Sequence, residues 1–349
     1  MKTIFVNIKE LTGITPAGTL RLQGEEMSHT GSIKNAWLIA EDGYISGFGE
    51  MKDRPEGKFD RTIDATGCII MPSFCDSHSH IVYAGTREEE FIDKINGLSY
   101  EEIAARGGGI LNSSDLLHDT SEDDLYEQSL ARVNEMISHG SGAIEIKSGY
   151  GLSVEDELKM LRVIKRIKET VPAVIRATFL GAHAVGRAYT GRKDEYVSLI
   201  INEMIPQVAG QGLADFIDVF CDDGFFSPED MDRILAEGAR FGLRPKVHID
   251  EIAVIGGMET ALRHGALSVD HLEQTGEKGI KALQGTDTMP TMLPGSSFFL
   301  GLPYGRARDF ISNGLGVALA SDFNPGSSPS GDMRFVMAQS CIKMKLTPV

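Results

Sequence analysis

Cysteine is scarce and shows no pairing pattern. Cys68, Cys75, Cys221 and Cys341 are scattered through 349 residues without a CxxC spacing. That spacing speaks against a disulfide framework and a zinc ribbon, and it points to a reducing compartment, so the expected location is cytoplasmic. No apolar run reaches the roughly 18 residues of a membrane-spanning helix, and no membrane partner is expected. The first ten residues place Lys2, Lys9 and Glu10 around a short apolar run. They offer neither a long apolar core nor a small-residue cleavage site, so no signal peptide is expected. Positive charge is in deficit, with 34 Lys and Arg against 50 Asp and Glu and a formal net charge of −16. A field of that sign disfavours nucleic acid and anionic surfaces as partners. An anionic substrate would need local cations to hold it. Gly-rich dinucleotide turns, internal repeats and low-complexity segments are also missing.

What remains has ordinary globular composition, 42% hydrophobic and 24% charged, and a length that suits one large domain with a small one. Residues 1–66 carry short alternating segments, Ala36–Ala40 and Tyr44–Phe48, separated by the turn Glu41-Asp42-Gly43. They predict a small antiparallel β domain built from hairpins. From residue 67 to 349 the rhythm changes. Compact apolar runs recur near 69–75, 142–147, 174–180, 216–221, 244–248, 266–270, 287–293 and 316–321. Amphipathic stretches separate them, such as 154–169 with Leu158, Leu161, Ile164 and Ile167 on one face. Ser227-Pro228-Glu229-Asp230 reads as a helix start, with a capping serine, proline at the first position and acids in the first turn. Eight strands alternating with helices predict an α/β fold, a parallel (β/α)8 barrel of the TIM type. The segment from Arg87 to about Ser114 is a long insertion after the first barrel strand, marked by Gly107-Gly108-Gly109, and long loops there tend to carry function.

In such a barrel the reactive residues sit at the C-terminal ends of strands. His78 and His80 follow the first apolar run one residue apart, so both imidazoles can reach one ion. His183, His248, His271 and Asp322 end later runs. Three histidines with an aspartate suit one divalent cation, Zn²⁺ or Fe²⁺. A cation with an open position lowers the pKa of bound water to about 7, which makes hydroxide available for attack on a carbonyl or amidine carbon. Asp322 could both ligate and accept the proton, His271 could hydrogen-bond the water, and Glu251 could carry a proton to a ring nitrogen. Cys75 and Cys221, inside strand-like runs, are expected to be buried small apolar residues rather than ligands. His29, His118, His139 and His264 fall in helical or loop contexts and are expected to be structural or exposed.

These residues resemble the amidohydrolase superfamily and, within it, the imidazolonepropionase family. The narrower likeness rests on strings that run in order: YAGTREEEF (83–91), GGGIL (107–111), KSGYGL (147–152), TFLGAHAV (178–185), DVFCDDG (218–224), VHIDE (247–251), VDHLE (269–273), LPGSSFFLG (293–301) and SDFNPGSSP (321–329). The resemblance implies a metal-dependent hydrolase barrel with a small β-sandwich domain. The implied activity is hydrolysis of 4-imidazolone-5-propanoate, a small carboxylate, to N-formimidoyl-L-glutamate in histidine degradation. It assigns the metal ligands to His78, His80, His248 and Asp322. It assigns the substrate carboxylate to Arg87 and Tyr150, with Tyr100 helping, and contacts to the ring to His183 and Glu251. It assigns product binding to Asn324, Gly326 and Ser327. Family members continue past Val349, so the small domain is expected to hold only its N-terminal strands here. Exposed surface on that domain is compatible with a homodimer.

Two other readings stand beside this one. The same metal chemistry would serve another amidohydrolase reaction, such as nucleobase deamination, although Arg87 and Tyr150 favour a substrate bearing a carboxylate. A chain ending before the family's C-terminal part could instead be a non-catalytic metal-binding protein.

Overall fold

The computed structural model describes residues 1–98 and 108–348. The chain divides into two compact units, Met1–Ser73 and Phe74–Pro348.

The small unit is a mixed five-stranded sheet. β1 (Lys2–Ile14), β2 (Gly31–Glu41) and β3 (Tyr44–Glu50) form an antiparallel meander. Asp42 and Gly43 turn β2 into β3 with φ of 50° and 86°. Positive φ at both central residues matches the twist of the flanking strands, which is why Asp-Gly marks such turns. β4 (Arg61–Asp64) and β5 (Ile69–Ile70) pair with β1 in parallel. The apolar run near 69–75 is therefore not one barrel strand. Ile69–Ile70 belongs to the small sheet, and Pro72, which has no N–H to donate, interrupts the run before the barrel begins.

The large unit holds eight parallel strands: β6 (Phe74–Asp76), β7 (Ser141–Lys147), β8 (Val174–Ala182), β9 (Phe216–Cys221), β10 (Arg244–Ile249), β11 (Ser268–His271), β12 (Met289–Met292) and β13 (Ala318–Leu319). They neighbour one another in sequence order from β6 to β13. A parallel bridge between Ser79 and Phe323 joins the two ends of the sheet. Backbone bonds from Asp322 N to His78 O (3.0 Å) and from His80 N to Phe323 O (2.9 Å) reinforce that seam. The intervening apolar runs are buried on both faces, as parallel strands under helices must be.

The helices follow from caps and spacing. Ser153 accepts from Asp156 N at 3.2 Å and opens the helix Val154–Thr170. Leu158, Leu161, Ile164 and Ile167 are buried along one stripe of it, each contributing about 1.5–3 kcal/mol of transfer free energy. Ser227 and Asp230 form a reciprocal capping box at the start of Pro228–Arg240. In the long insertion, Glu88–Ile95 and Ile110–Asp119 are helical. Cys221 is buried as expected, but Cys75 is exposed. Strand alternation explains the difference, since the inward side chain of β6 is Asp76, fully buried.

Candidate functional site

The short strand β6 stops at Asp76, and the chain then runs along the barrel mouth with His78 and His80 pointing inward. Asp76 helps hold it there by accepting from Ser321 N at 3.0 Å, across the seam. His248 lies in β10, His271 ends β11, and Asp322 follows β13. All five side chains are buried. They form two triads that share His78: His78, His248 and His271, and His78, His80 and Asp322, each with potential ligand atoms within 4.8 Å of one another. His271, Asp322 and the neighbouring Asp250 and Leu272 have φ of 83°, 54°, 55° and 70°. Left-handed backbone at residues other than glycine costs energy and concentrates at functional sites.

The imidazole edges meet. Nε2 of His80 is 3.2 Å from Nε2 of His78 and 3.3 Å from Nε2 of His248. Asp322 Oδ1 is 3.5 Å from Nε2 of both His78 and His80. On the far side of its ring, His78 Nδ1 meets Asp270 Oδ2 at 2.7 Å, and His248 Nδ1 faces Asp218 Oδ2 at 2.9 Å. The carboxylate bonded to His78 Nδ1 keeps the proton there and leaves Nε2 as a bare lone pair, while Asp218 stands near His248 Nδ1 without hydrogen-bond geometry. Burial, reinforced by neighbouring positive charge, holds His78, His80 and His248 well below the usual histidine range, so all three rings are neutral. Neutral nitrogens with lone pairs aimed at one another repel unless a cation lies between them. Ligand atoms about 2.0–2.1 Å from a tetrahedral zinc lie roughly 3.3–3.4 Å apart, so these spacings fit a divalent cation.

His271 differs. Burial pushes it down, but Glu251 and Glu273 outweigh burial and raise it to about 10. Its Nδ1 is 3.6 Å from a carboxylate oxygen of each. A protonated ring has no free pair to ligate with. Burial raises Glu251 to about 7, against the pull of His271, and burial raises Asp322 to about 6.

The other expected residues fall around this cluster. His183 stacks on His80 with ring centroids 5.1 Å apart and planes 15° from parallel, and its Nδ1 bonds Gly149 O at 3.0 Å. Tyr150 is buried, 5.4 Å from the His183 ring by centroid. Arg87 is not free, because Nε and Nη2 engage Glu90 at 2.9 and 2.5 Å. Nη1 lies against Gly326, where an added Cβ would strike it. Asn324 organises its loop by accepting from Gly326 N at 2.8 Å and Ser327 N at 2.7 Å, and Ser327 Oγ reaches Asp322 Oδ2 at 3.3 Å. Tyr100 lies outside the described residues. His118 and His264 pair with Asp156 and Asp232 away from the cluster.

No family model matches the chain. An imidazolonepropionase from Flavobacterium johnsoniae is 52% identical over 348 residues, covering 100% of this chain and 85% of that protein. The chain belongs to the imidazolonepropionase family. Another member, from Geobacillus kaustophilus, is 41% identical over 354 residues, with 84% of its length covered. Among solved structures, guanine deaminase from C. acetobutylicum has a TM-score of 0.64 at 15% identity, covering 99% of this chain and 80% of that one. A triazine hydrolase variant has a TM-score of 0.70 at 13% identity, covering 95% and 73%. These two share the amidohydrolase-like barrel with the family member described here.

Six buried charges at this site had no role assigned from the sequence: Glu145, Lys147, Asp218, Lys246, Asp270 and Glu273, although Lys147, Asp218, Asp270 and Glu273 lie within the family-like strings. The available signal is the anomaly itself, since ionisable residues are almost never fully buried without partners, and parallel strands are otherwise continuously apolar.

Proposed function

We infer that this chain hydrolyses 4-imidazolone-5-propanoate to N-formimidoyl-L-glutamate at a centre holding one divalent cation, zinc or iron. The observation that carries this reading is the cluster of buried groups around His80, whose Nε2 lies 3.2 and 3.3 Å from Nε2 of His78 and His248, with Asp322 Oδ1 3.5 Å from Nε2 of both His78 and His80. His78, His80, His248 and Asp322 would hold the cation. When bound, it would supply Lewis-acid polarisation and bring a water to a pKa near 7. His271, whose Nδ1 lies 3.6 Å from a carboxylate oxygen of each of Glu251 and Glu273, would face the water rather than hold the cation.

In the reaction, water adds to the ring carbonyl carbon and the adjacent C–N bond breaks. The carbonyl carbon becomes a carboxylate, and the departing nitrogen takes a proton and remains on the formimidoyl carbon. Asp322 takes the proton of the attacking water. His271 hydrogen-bonds that water. Glu251, raised to about 7, hands a proton to the leaving nitrogen. Arg87 binds the propanoate through the edge not taken by Glu90, with the Tyr150 hydroxyl and Tyr100 as further donors. His183 packs against the ring, and the loop Asn324–Ser327 receives the product. Four cysteines without a pairing scheme support a cytoplasmic setting. Among the described residues, no helix is long and apolar enough to cross a membrane.

The purified chain tests this directly. Imidazolone absorbance should disappear with stoichiometric formation of formimidoylglutamate, chelation should stop it, and zinc or iron should restore it. Ammonia release from cytosine or guanine without imidazolone turnover would overturn the assignment, as would bound metal with no turnover.

A further inference from the structure

Below the histidines the barrel interior holds a layer of charge that the reaction does not touch. Glu145 and Lys147 point inward from β7, Asp218 from β9, Lys246 from β10 and Asp270 from β11, and all are buried. Two ammonium groups thus face three carboxylates. The Lys147 side chain is 0% exposed. Its Nζ lies 2.8 Å from Asp218 Oδ2, 3.0 Å from Glu145 Oε1 and 3.9 Å from Asp270 Oδ2. Asp218 and Asp270 are the carboxylates that face Nδ1 of His248 and His78, at 2.9 and 2.7 Å. Glu145 is itself fixed by the Thr178 hydroxyl, so it anchors the ammonium from the same strand. Lys246 sits differently, bonding Ser268 Oγ at 2.9 Å and standing 3.8 Å from Asp270.

We propose that Lys147 is a positioning residue for the metal centre. By gripping Asp218 and resting against Asp270, it fixes the two carboxylates that orient the imidazoles of His248 and His78. One buried cation thereby sets the aim of two of the three nitrogen ligands, without touching substrate or metal. Outer carboxylates fix the tautomer and direction of ligating histidines, and their loss costs metal affinity. Here those carboxylates are themselves held by one shared ammonium. Burial alone would push Lys147 down, but Asp218, Glu145 and Asp270 outweigh it and hold the group above its usual range. The proposal rests on reading the histidine cluster as a cation site.

Charge and positioning predict opposite signs for the loss of Lys147. By Coulomb's law alone, removing a positive charge near the site tightens cation binding. Removing a support that orients the ligands loosens it. The full chain, stripped with a chelator, is titrated with Zn²⁺ in competition with a chromophoric chelator, with thermal unfolding followed separately. Lys147→Met should weaken Zn²⁺ binding by roughly 10- to 100-fold and alter the visible spectrum of the Co²⁺-substituted protein. Lys246→Met, a loss of burial in the same layer, should weaken it less. Asp218→Asn combined with Lys147→Met should lose less than the sum of the two single losses, since Lys147 acts in part through Asp218 and in part through Asp270. Unchanged or tighter Zn²⁺ binding by folded Lys147→Met, or additive losses in the pair, would overturn the proposal. If Lys147→Met does not fold, Lys147→Arg keeps the charge but shifts the grip; it should still bind Zn²⁺ more weakly, and wild-type affinity there would overturn it equally. A wild-type chain that binds no Zn²⁺ or Fe²⁺ removes the cation reading itself, and the proposal with it.

Discussion

At Arg87 one side of the guanidinium is already engaged. Nε and Nη2 face Glu90, and Nη1 rests over Gly326. A hydrogen bond to a charged group contributes about 1.5–3 kcal/mol, so Arg87→Ala should raise KM by roughly 10- to 100-fold and lower kcat much less. An unchanged KM for the propanoate substrate would contradict the role. Gly326→Ala provides an independent check. Its new Cβ meets only the far end of Arg87, so the fold should survive while the guanidinium is displaced and KM rises. Glu251 carries a pH signature. Raised to about 7, it is protonated below neutrality. If it protonates the leaving nitrogen, kcat falls as pH rises through about 7. In Glu251→Gln that limb should vanish along with most of kcat, and a limb that persists assigns the proton to another group. At this scale, His78 and His80 stood out because their spacing after an apolar run is matched by His248, His271 and Asp322 at the ends of later runs. Asp218 and Asp270 were not, because each reads as one polar residue in a strand until its partner on another strand is known.

Among the elements, the rim loops are held from beneath by buried carboxylates. Glu157 accepts from Gly149 N, Gly151 N and Leu152 N at 3.1, 2.8 and 3.0 Å and so shapes the loop carrying Tyr150. Asp222 accepts from Glu251 N, Ile252 N and Ala253 N at 2.8, 3.0 and 2.8 Å. Asp222→Ala leaves those donors without partners, each at a cost of about 1–3 kcal/mol where buried. Its kcat should fall with Zn²⁺ content unchanged; wild-type kcat in a variant of lowered Tm would show that Asp222 serves stability alone. The strands were readable from their recurring apolar runs, and helix starts from serine caps such as Ser227. Their edges were not. Ile69–Ile70 continues the apolar run of β6 yet pairs with β1, a choice made by partners distant in sequence. The Glu157 clamp was hidden for a related reason, since a carboxylate in a helix's first turn also reads as a capping charge.

For the whole molecule, the net charge of −16 makes Arg87 the local exception to a field that repels carboxylates. On the proposed reading the buried cluster also couples a bound cation to the fold. A ligand that binds only the folded chain stabilises it in proportion to the logarithm of its concentration over Kd. Removal of the cation should therefore lower the Tm as well as stop turnover; a Tm indifferent to chelation would argue against the cluster as the binding place. The barrel rhythm, strand by strand, was legible from the sequence at this scale. The closing contact was not, because Ser79 and Phe323 are joined by geometry rather than by any shared pattern.

That seam has a consequence for how the protein is made. His78 and His80 leave the ribosome early, and Asp322 emerges close to the end of this chain. The backbone bonds that bring them together exist only after the last strand has docked against the first. On the proposed reading, a chain without its last strand carries the imidazoles but not the aspartate beside them, so the complete donor set belongs to the closed barrel.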